Sequence, residues 1–134
     1  MSGVVLPDTS VWIGHYRGHA PALRALERAD HLVTCGPVVA ELVQGLDPER
    51  GALLWQRMAA LPWVELGRAE WRTVGEVAAR LRAGGAPAGL TDVQIAVAAA
   101  AAGATLLTAD TDVGRIKQAL PGLAVRVVAP RRAA

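Results

Sequence analysis

The stretch Val4-Val5-Leu6-Pro7-Asp8-Thr9-Ser10-Val11-Trp12-Ile13 decides the fold. Residues 4–6 form an apolar run that reads as a short buried strand. Thr9 or Ser10 can cap the helix that follows, which carries Val11, Trp12, Ile13 and Tyr16. A strand that turns directly into a helix, with an acid at the junction, sets the pattern for the rest of the chain.

Working outward, the alternation repeats. Gly18 breaks the first helix, and Pro21 fits the first turn of a second with Leu23 and Leu26 on one face. Residues 31–34 read as a second strand. Gly36-Pro37 announces a helix that Gly45 stops, and Asp47-Pro48 opens another with Leu53, Leu54, Arg57 and Met58. Residues 62–66 make a weaker strand, and 69–82 a helix ended by Gly84-Gly85. A loop over 84–90 leads to Thr91, read as the cap of a helix that is apolar nearly all round and therefore central. Gly103 ends it. Residues 104–107 form a strand, 110–118 a loop and short helix, and 123–128 a last strand after Pro121-Gly122. Strands alternating with helices predict an α/β sandwich around a mostly parallel sheet. The expected organisation is a single domain over residues 1–134, with its core at about 4–128 and a mobile tail at 129–134 that holds Arg131 and Arg132.

Composition fits this reading. A chain of 134 residues, 52% hydrophobic and 19% charged, can bury a core and is not disordered. Cys35 is the single cysteine and permits no internal disulfide, so a reducing cytoplasm is expected. The start lacks a basic segment followed by a long apolar one, so no signal peptide is expected. The Ala-rich stretch ending at Ala104 is well short of the ~20 residues that span a bilayer. Net charge is +2, and all basic residues but Lys117 are arginine, which suits phosphate contacts. An Arg- and Ala-rich composition is also what a GC-rich genome produces.

Five acids sit in or beside apolar runs: Asp8, Glu41, Asp92, Asp110 and Asp112. Carboxylates are rarely placed there unless they are paired or bind a metal. Asp8 and Asp110 each follow a strand, at the edge where parallel α/β sheets bind ligands. Glu41 lies about one turn into a helix, and Asp92 in the first turn of another. Drawn into one pocket, they would repel one another. A hard divalent cation such as Mg²⁺ removes that repulsion and takes oxygen ligands. Such a set suits metal-assisted phosphodiester hydrolysis. Ser10 stands where its hydroxyl can support a ligand carboxylate.

Each acid also has an ordinary reading. Asp8 can cap the next helix, and Asp92 can complement a helix dipole. Glu41 can share a solvated stripe with Gln44, and Asp110 and Asp112 can be turn residues. His15 and His19, at i and i+4, lack a third zinc ligand. Cys35 reads as a small core residue. Trp12, Trp55 and Trp63 read as core or dimer contacts rather than base-stacking platforms. A phosphatase of the haloacid-dehalogenase kind would need a second aspartate where Ser10 stands.

Four blocks carry a resemblance. Leu6-Pro7-Asp8-Thr9-Ser10-Val11-Trp12-Ile13, Pro37-Val38-Val39-Ala40-Glu41-Leu42, Leu90-Thr91-Asp92-Val93-Gln94-Ile95-Ala96 and Leu106-Leu107-Thr108-Ala109-Asp110-Thr111-Asp112 occur in this order. Together they resemble a PIN domain, and more closely the VapC-type ribonuclease toxins of type II toxin–antitoxin modules. The resemblance runs over essentially the whole chain. It implies a three-layer α/β/α domain and an endoribonuclease dependent on Mg²⁺, with Mn²⁺ as substitute. It also implies a homodimer silenced by a VapB-type antitoxin. By the match, Asp8, Glu41 and Asp92 are metal-site acids, and the fourth is Asp110 or Asp112. Ser10 matches the supporting hydroxyl. Val113 departs from the pattern, since the family's last block often carries an aromatic there. The alternative within the fold is a catalytically silent module that binds RNA or protein.

Overall fold

A computed structural model describes residues 3–18, 23 and 31–128. Its elements run β1 (Val5–Pro7), α1 (Thr9–Tyr16), β2 (Thr34–Cys35), α2 (Gly36–Gln44), α3 (Pro48–Ala59), β3 (Trp63–Val64), α4 (Arg68–Ala83), α5 (Leu90–Ala101), β4 (Thr105–Thr108), α6 (Val113–Ala119) and β5 (Ala124–Val127). The expected helix around Pro21 and Leu26, His19, and the tail at 129–134 lie outside the described residues. Leu23 alone is described there, and it is buried.

Every strand pairing among the described residues is parallel. β4 lies between β1 and β5, and β2 pairs with β3. A bridge between Val5 and Leu32 joins the two groups. Val5 N donates to His31 O at 2.8 Å, and Val33 N to Val5 O at 3.0 Å. The order across the molecule is therefore β3, β2, β1, β4, β5. From β1 the chain winds first one way, to β2 and β3, and later the other, to β4 and β5. The carboxyl ends of β1 and β4 flank that reversal, where open parallel sheets form a crevice. Helices on both faces complete the three-layer α/β domain.

Local chemistry explains most boundaries. Pro37 and Pro48 stand in the first turns of α2 and α3, where a missing N–H costs nothing. Asp47 caps α3 by accepting from Arg50 N at 3.0 Å. Gly85 and Gly103 take positive φ just past α4 and α5. Each lets the chain close a reverse turn, with Ala86 N bonded to Leu81 O and Ala104 N to Ala99 O, both at 2.9 Å. α5 buries Val93, Ile95, Ala96, Val97, Ala98 and Ala99, as its apolar circumference demands. Leu6 and Leu106 from the strands, and Leu123 just before β5, complete this core.

Three expectations are corrected. α1 is capped by Asp8, not by Thr9 or Ser10: Asp8 has extended backbone and accepts from Val11 N. α5 begins one residue before Thr91, with Gly89 at the cap position and Thr91 inside the first turn. Of the two readings of Trp55, core or dimer contact, the core one is overturned, since Trp55 is 51% exposed. On α3 the buried stripe is Gly51, Leu54 and Met58, and Trp55 follows Leu54 by 100° of helical rotation, which turns it outward. Its ring meets the edge of Trp63, which donates to Met58 O at 2.8 Å. Trp12 is buried, and Cys35 is fully buried as a free thiol. No helix of the described residues is long and apolar enough to cross a membrane.

Candidate active site

Asp8 follows β1 directly and Asp110 lies two residues beyond β4. Neighbouring parallel strands thus bring the two acids together across 102 positions of sequence. The β1–β4 register is held locally as well, since Asp8 N donates to Leu107 O at 2.8 Å. α5 supplies Asp92 from its first turn, and α2 supplies Glu41.

The acids are held by hydroxyls and backbone. Asp8 Oδ1 accepts from Ser10 Oγ at 2.5 Å and from Val11 N at 3.2 Å, while Thr108 donates to Asp8 Oδ2. The capping role and the site role of Asp8 therefore coexist in one carboxylate. Ser10 Oγ also accepts from Ala109 N at 3.2 Å, which fastens the start of α1 to the end of β4. Thr9 Oγ1 donates to Glu41 Oε1 at 2.6 Å. Asp110 Oδ1 accepts from Asp112 N at 2.8 Å, a side-chain turn that fixes its rotamer.

Two of these supports escaped the sequence reading. Thr108 is almost fully buried, and besides holding Asp8 its Oγ1 accepts from Asp110 N at 3.0 Å. A polar residue closing the apolar run Leu106-Leu107 is the signal that marks it. Thr9 was read only as a cap, yet it holds Glu41.

Electrostatics ties the acids together. Asp92 is pushed above the ordinary aspartate range by partial burial first, then by the charges of Glu41, Asp110 and Asp8. Three acids from three other segments therefore act on one carboxylate. Asp112 is not among them. It is largely exposed and lies 3.3 Å from Arg115 Nη2. A cavity of about 210 Å³ runs along this edge, walled by Asp8, Asp92, Thr108, Asp110, Asp112 and Arg115 among others. Glu41 lines a second, more apolar cleft with Ile13, Tyr16 and Leu46. Its charge still reaches Asp92.

The donor set fits a hard divalent cation. It offers carboxylate oxygens, and the mutual repulsion recorded at Asp92 is what such a cation would remove. Among the described residues no three acid, histidine or cysteine side chains close into a ready-made chelate. Mg²⁺ suits a loose set of this kind because it keeps several waters and needs few protein ligands. His15 packs against the rings of Trp12 and Tyr16, and among the described residues no group of three acid, histidine or cysteine side chains forms that could hold zinc.

Comparison with known proteins agrees with this geometry. The family model of the PIN domain matches residues 5–119. Among solved structures, the chain is similar to one of VapBC2 from Rickettsia felis bound to a fragment of its promoter DNA. The TM-score is 0.74 at 22% identity, covering 92% of this chain and 98% of that one. DNA-bound VapBC from Salmonella typhimurium matches with TM-score 0.74 and 21% identity over 92% and 97% of the chains. VapBC-5 of Mycobacterium tuberculosis, a member of the VapBC family of toxin–antitoxin systems, matches with TM-score 0.60 and 21% identity over 95% and 98%. No curated protein matches the sequence. At these identities the structures speak for the fold, while the family model spans most of the chain: the protein belongs to the PIN domain family.

Proposed function

We propose that this protein is the toxin of a type II toxin–antitoxin pair and a Mg²⁺-dependent endoribonuclease. The observation that carries the reading is that Asp8, Glu41 and Asp110, from three separate segments, all act on Asp92 at the reversal of a parallel sheet. These four residues would hold Mg²⁺, or Mn²⁺ in its place. Held there, the ion would supply positive charge that offsets their repulsion, makes water more acidic and balances charge on the phosphate.

The chain's own part is orientation. Thr108 and Ser10 fix Asp8, Thr9 fixes Glu41, and the turn at Asp112 N fixes Asp110. Fixed ligands keep the site from rearranging as charge builds. No side chain need attack phosphorus; water is the nucleophile, and the products carry a 5′-phosphate and a 3′-hydroxyl. The likeness to VapBC complexes supports a VapB-type antitoxin as partner. We place the toxin in the cytoplasm as a homodimer, with the buried thiol of Cys35 suited to a reducing compartment.

The test is cleavage of total RNA by the purified protein with Mg²⁺ or with chelator, followed by mapping of the ends. Mg²⁺-dependent cuts with 5′-phosphate ends, abolished in Asp92→Asn, are expected. Cleavage that persists undiminished in chelator would defeat the reading.

A further inference from the structure

We propose that Arg115 grips a substrate phosphate beside the acid site, and that Asp112 serves to hold Arg115 there. This rests on the nuclease reading above and assigns the second acid of the doublet a task other than metal binding. Arg115 lines the same cavity as Asp8, Asp92 and Asp110, and among the described residues it is the one cation in that wall.

Helix stability does not account for Arg115, and it uses Asp112 only through its charge. Arg115 is the third residue of α6, where the positive end of the helix disfavours a cation. Asp112 occupies the cap position, yet its side chain accepts no cap hydrogen bond. Its Oδ2 lies instead 3.3 Å from Arg115 Nη2. The side chains are 45% and 70% exposed, and a surface pair of this kind contributes little to folding. Asp112 thus forgoes a useful cap, and Arg115 sits at the unfavourable end of its helix. What the pair does achieve is position, a guanidinium tethered in the wall of an acidic cavity.

That position answers a physical need. Carboxylates that line a cavity repel the phosphodiester they must cut. A guanidinium carries five N–H donors, so one edge can hold Asp112 while another takes two phosphate oxygens. Lysine offers a point charge in place of that planar fork.

The experiment compares wild type, Arg115→Ala, Arg115→Lys and Asp112→Asn. Cleavage of a 5′-labelled mixed-sequence 12-nucleotide RNA gives KM and kcat. Anisotropy of a fluorescent RNA of the same sequence gives Kd, each variant being placed on an Asp92→Asn background to stop turnover. Arg115→Ala should raise KM and Kd about tenfold, the worth of one charge-assisted contact, with kcat changed far less. The slope of log K against log salt should fall by about 0.7, one phosphate contact to a single strand. Arg115→Lys should recover part of the loss, and Asp112→Asn should show a smaller shift of the same kind. Unchanged KM and Kd in Arg115→Ala, or a loss confined to kcat, would overturn the proposal while wild-type cleavage upheld the nuclease reading. A wild type that binds the probe through Arg115 and cleaves nothing would defeat the nuclease reading and leave the phosphate contact standing.

Discussion

The hydroxyl of Thr108, buried at the end of β4, donates to Asp8 at the end of β1, and accepts from the backbone N–H of Asp110. One side chain thereby positions two acids 102 residues apart in sequence. Thr108→Val keeps the shape and removes the hydroxyl. Asp8 then loses a donor, and Asp110 N loses its acceptor. We expect RNA cleavage to fall roughly 10- to 100-fold, the usual effect of removing a group that orients a ligand. Stability should drop by about 1–3 kcal/mol, from groups left unsatisfied. Steady-state rates and a denaturant melt measure the two effects. A variant of equal activity would show that Asp8 needs no such support.

Asp92 gives a pH signature. Its folded-state pKa is raised by burial and by Glu41, Asp110 and Asp8. Above the ordinary aspartate pKa of about 3.9, the folded chain holds this proton more tightly than the unfolded chain does. Stability contributed at this site therefore falls as pH rises through the folded pKa, and at neutral pH the ionised group destabilises. In chelator, Asp92→Asn should melt at a higher temperature than wild type at pH 7. The gain should vanish as pH is lowered below the ordinary aspartate range. Added Mg²⁺ should stabilise wild type more than the variant. A pH-independent difference between their melting temperatures would show that the neighbouring charges do not act on Asp92.

The doublet separates by environment. Asp110 raises Asp92, whereas Asp112 pairs with Arg115. Asp110→Asn can still accept the Asp112 N–H through its amide oxygen, so the turn survives while a ligand charge is lost. We expect it to lower kcat by at least about a hundredfold, in the range seen when electrostatic groups of a site are removed. Asp112→Asn should act mainly through KM. Parallel kinetics at matched thermal stability decide the assignment, and a larger kcat loss in Asp112→Asn would reverse it.

Much of this was legible in the chain because the fold is written in short apolar runs. The residues at 4–6, 104–107 and 123–128 each became a parallel strand within a residue or two of the expected ends. Asp8 and Asp110 could be placed at the sheet edge from strand ends alone. The caps were harder. Thr9, Ser10 and Thr91 have good capping side chains, but the chain used Asp8, where the end of β1 fixes the turn into α1, and Gly89, at the end of the loop that joins α4 to α5. Thr108 and Thr9 were not legible as supports, since each hydrogen-bonds across the fold to an acid far away in sequence. The core reading of Trp55 failed for a different reason. A single apolar residue beside a buried one satisfies a hydrophobic count while turned 100° away from the core.

Cys35 should be chemically silent in the folded protein. Burial pushes its thiol up to about 11, with Glu41 adding to the shift. Only thiolate reacts readily, so an alkylating reagent at pH 8 should label the unfolded chain and spare the native one. Between about pH 8.5, where a free thiol ionises, and the folded value, the unfolded chain releases this proton first, and stability falls as pH rises. Mass spectrometry after timed iodoacetamide treatment, with and without denaturant, reads the protection. Labelling of native protein at the unfolded rate would contradict the burial of Cys35.

On the proposed function, the acid cavity should also decide how a partner silences the protein. RNA is polyanionic and carboxylates repel it, so on this reading the RNA enters with a divalent cation. An arginine needs none, because it can grip a carboxylate in two places. An antitoxin segment bearing arginine would then compete with Mg²⁺ and RNA for Asp8, Asp92 and Asp110. Inhibition by the co-purified partner should weaken as Mg²⁺ is raised. Replacing the partner's C-terminal arginines by alanine should weaken it further, while the two proteins stay associated through their remaining contacts. Cleavage at a series of Mg²⁺ concentrations, with gel filtration of each pair, measures both. Inhibition that survives the arginine replacements undiminished would place the partner's action away from this cavity.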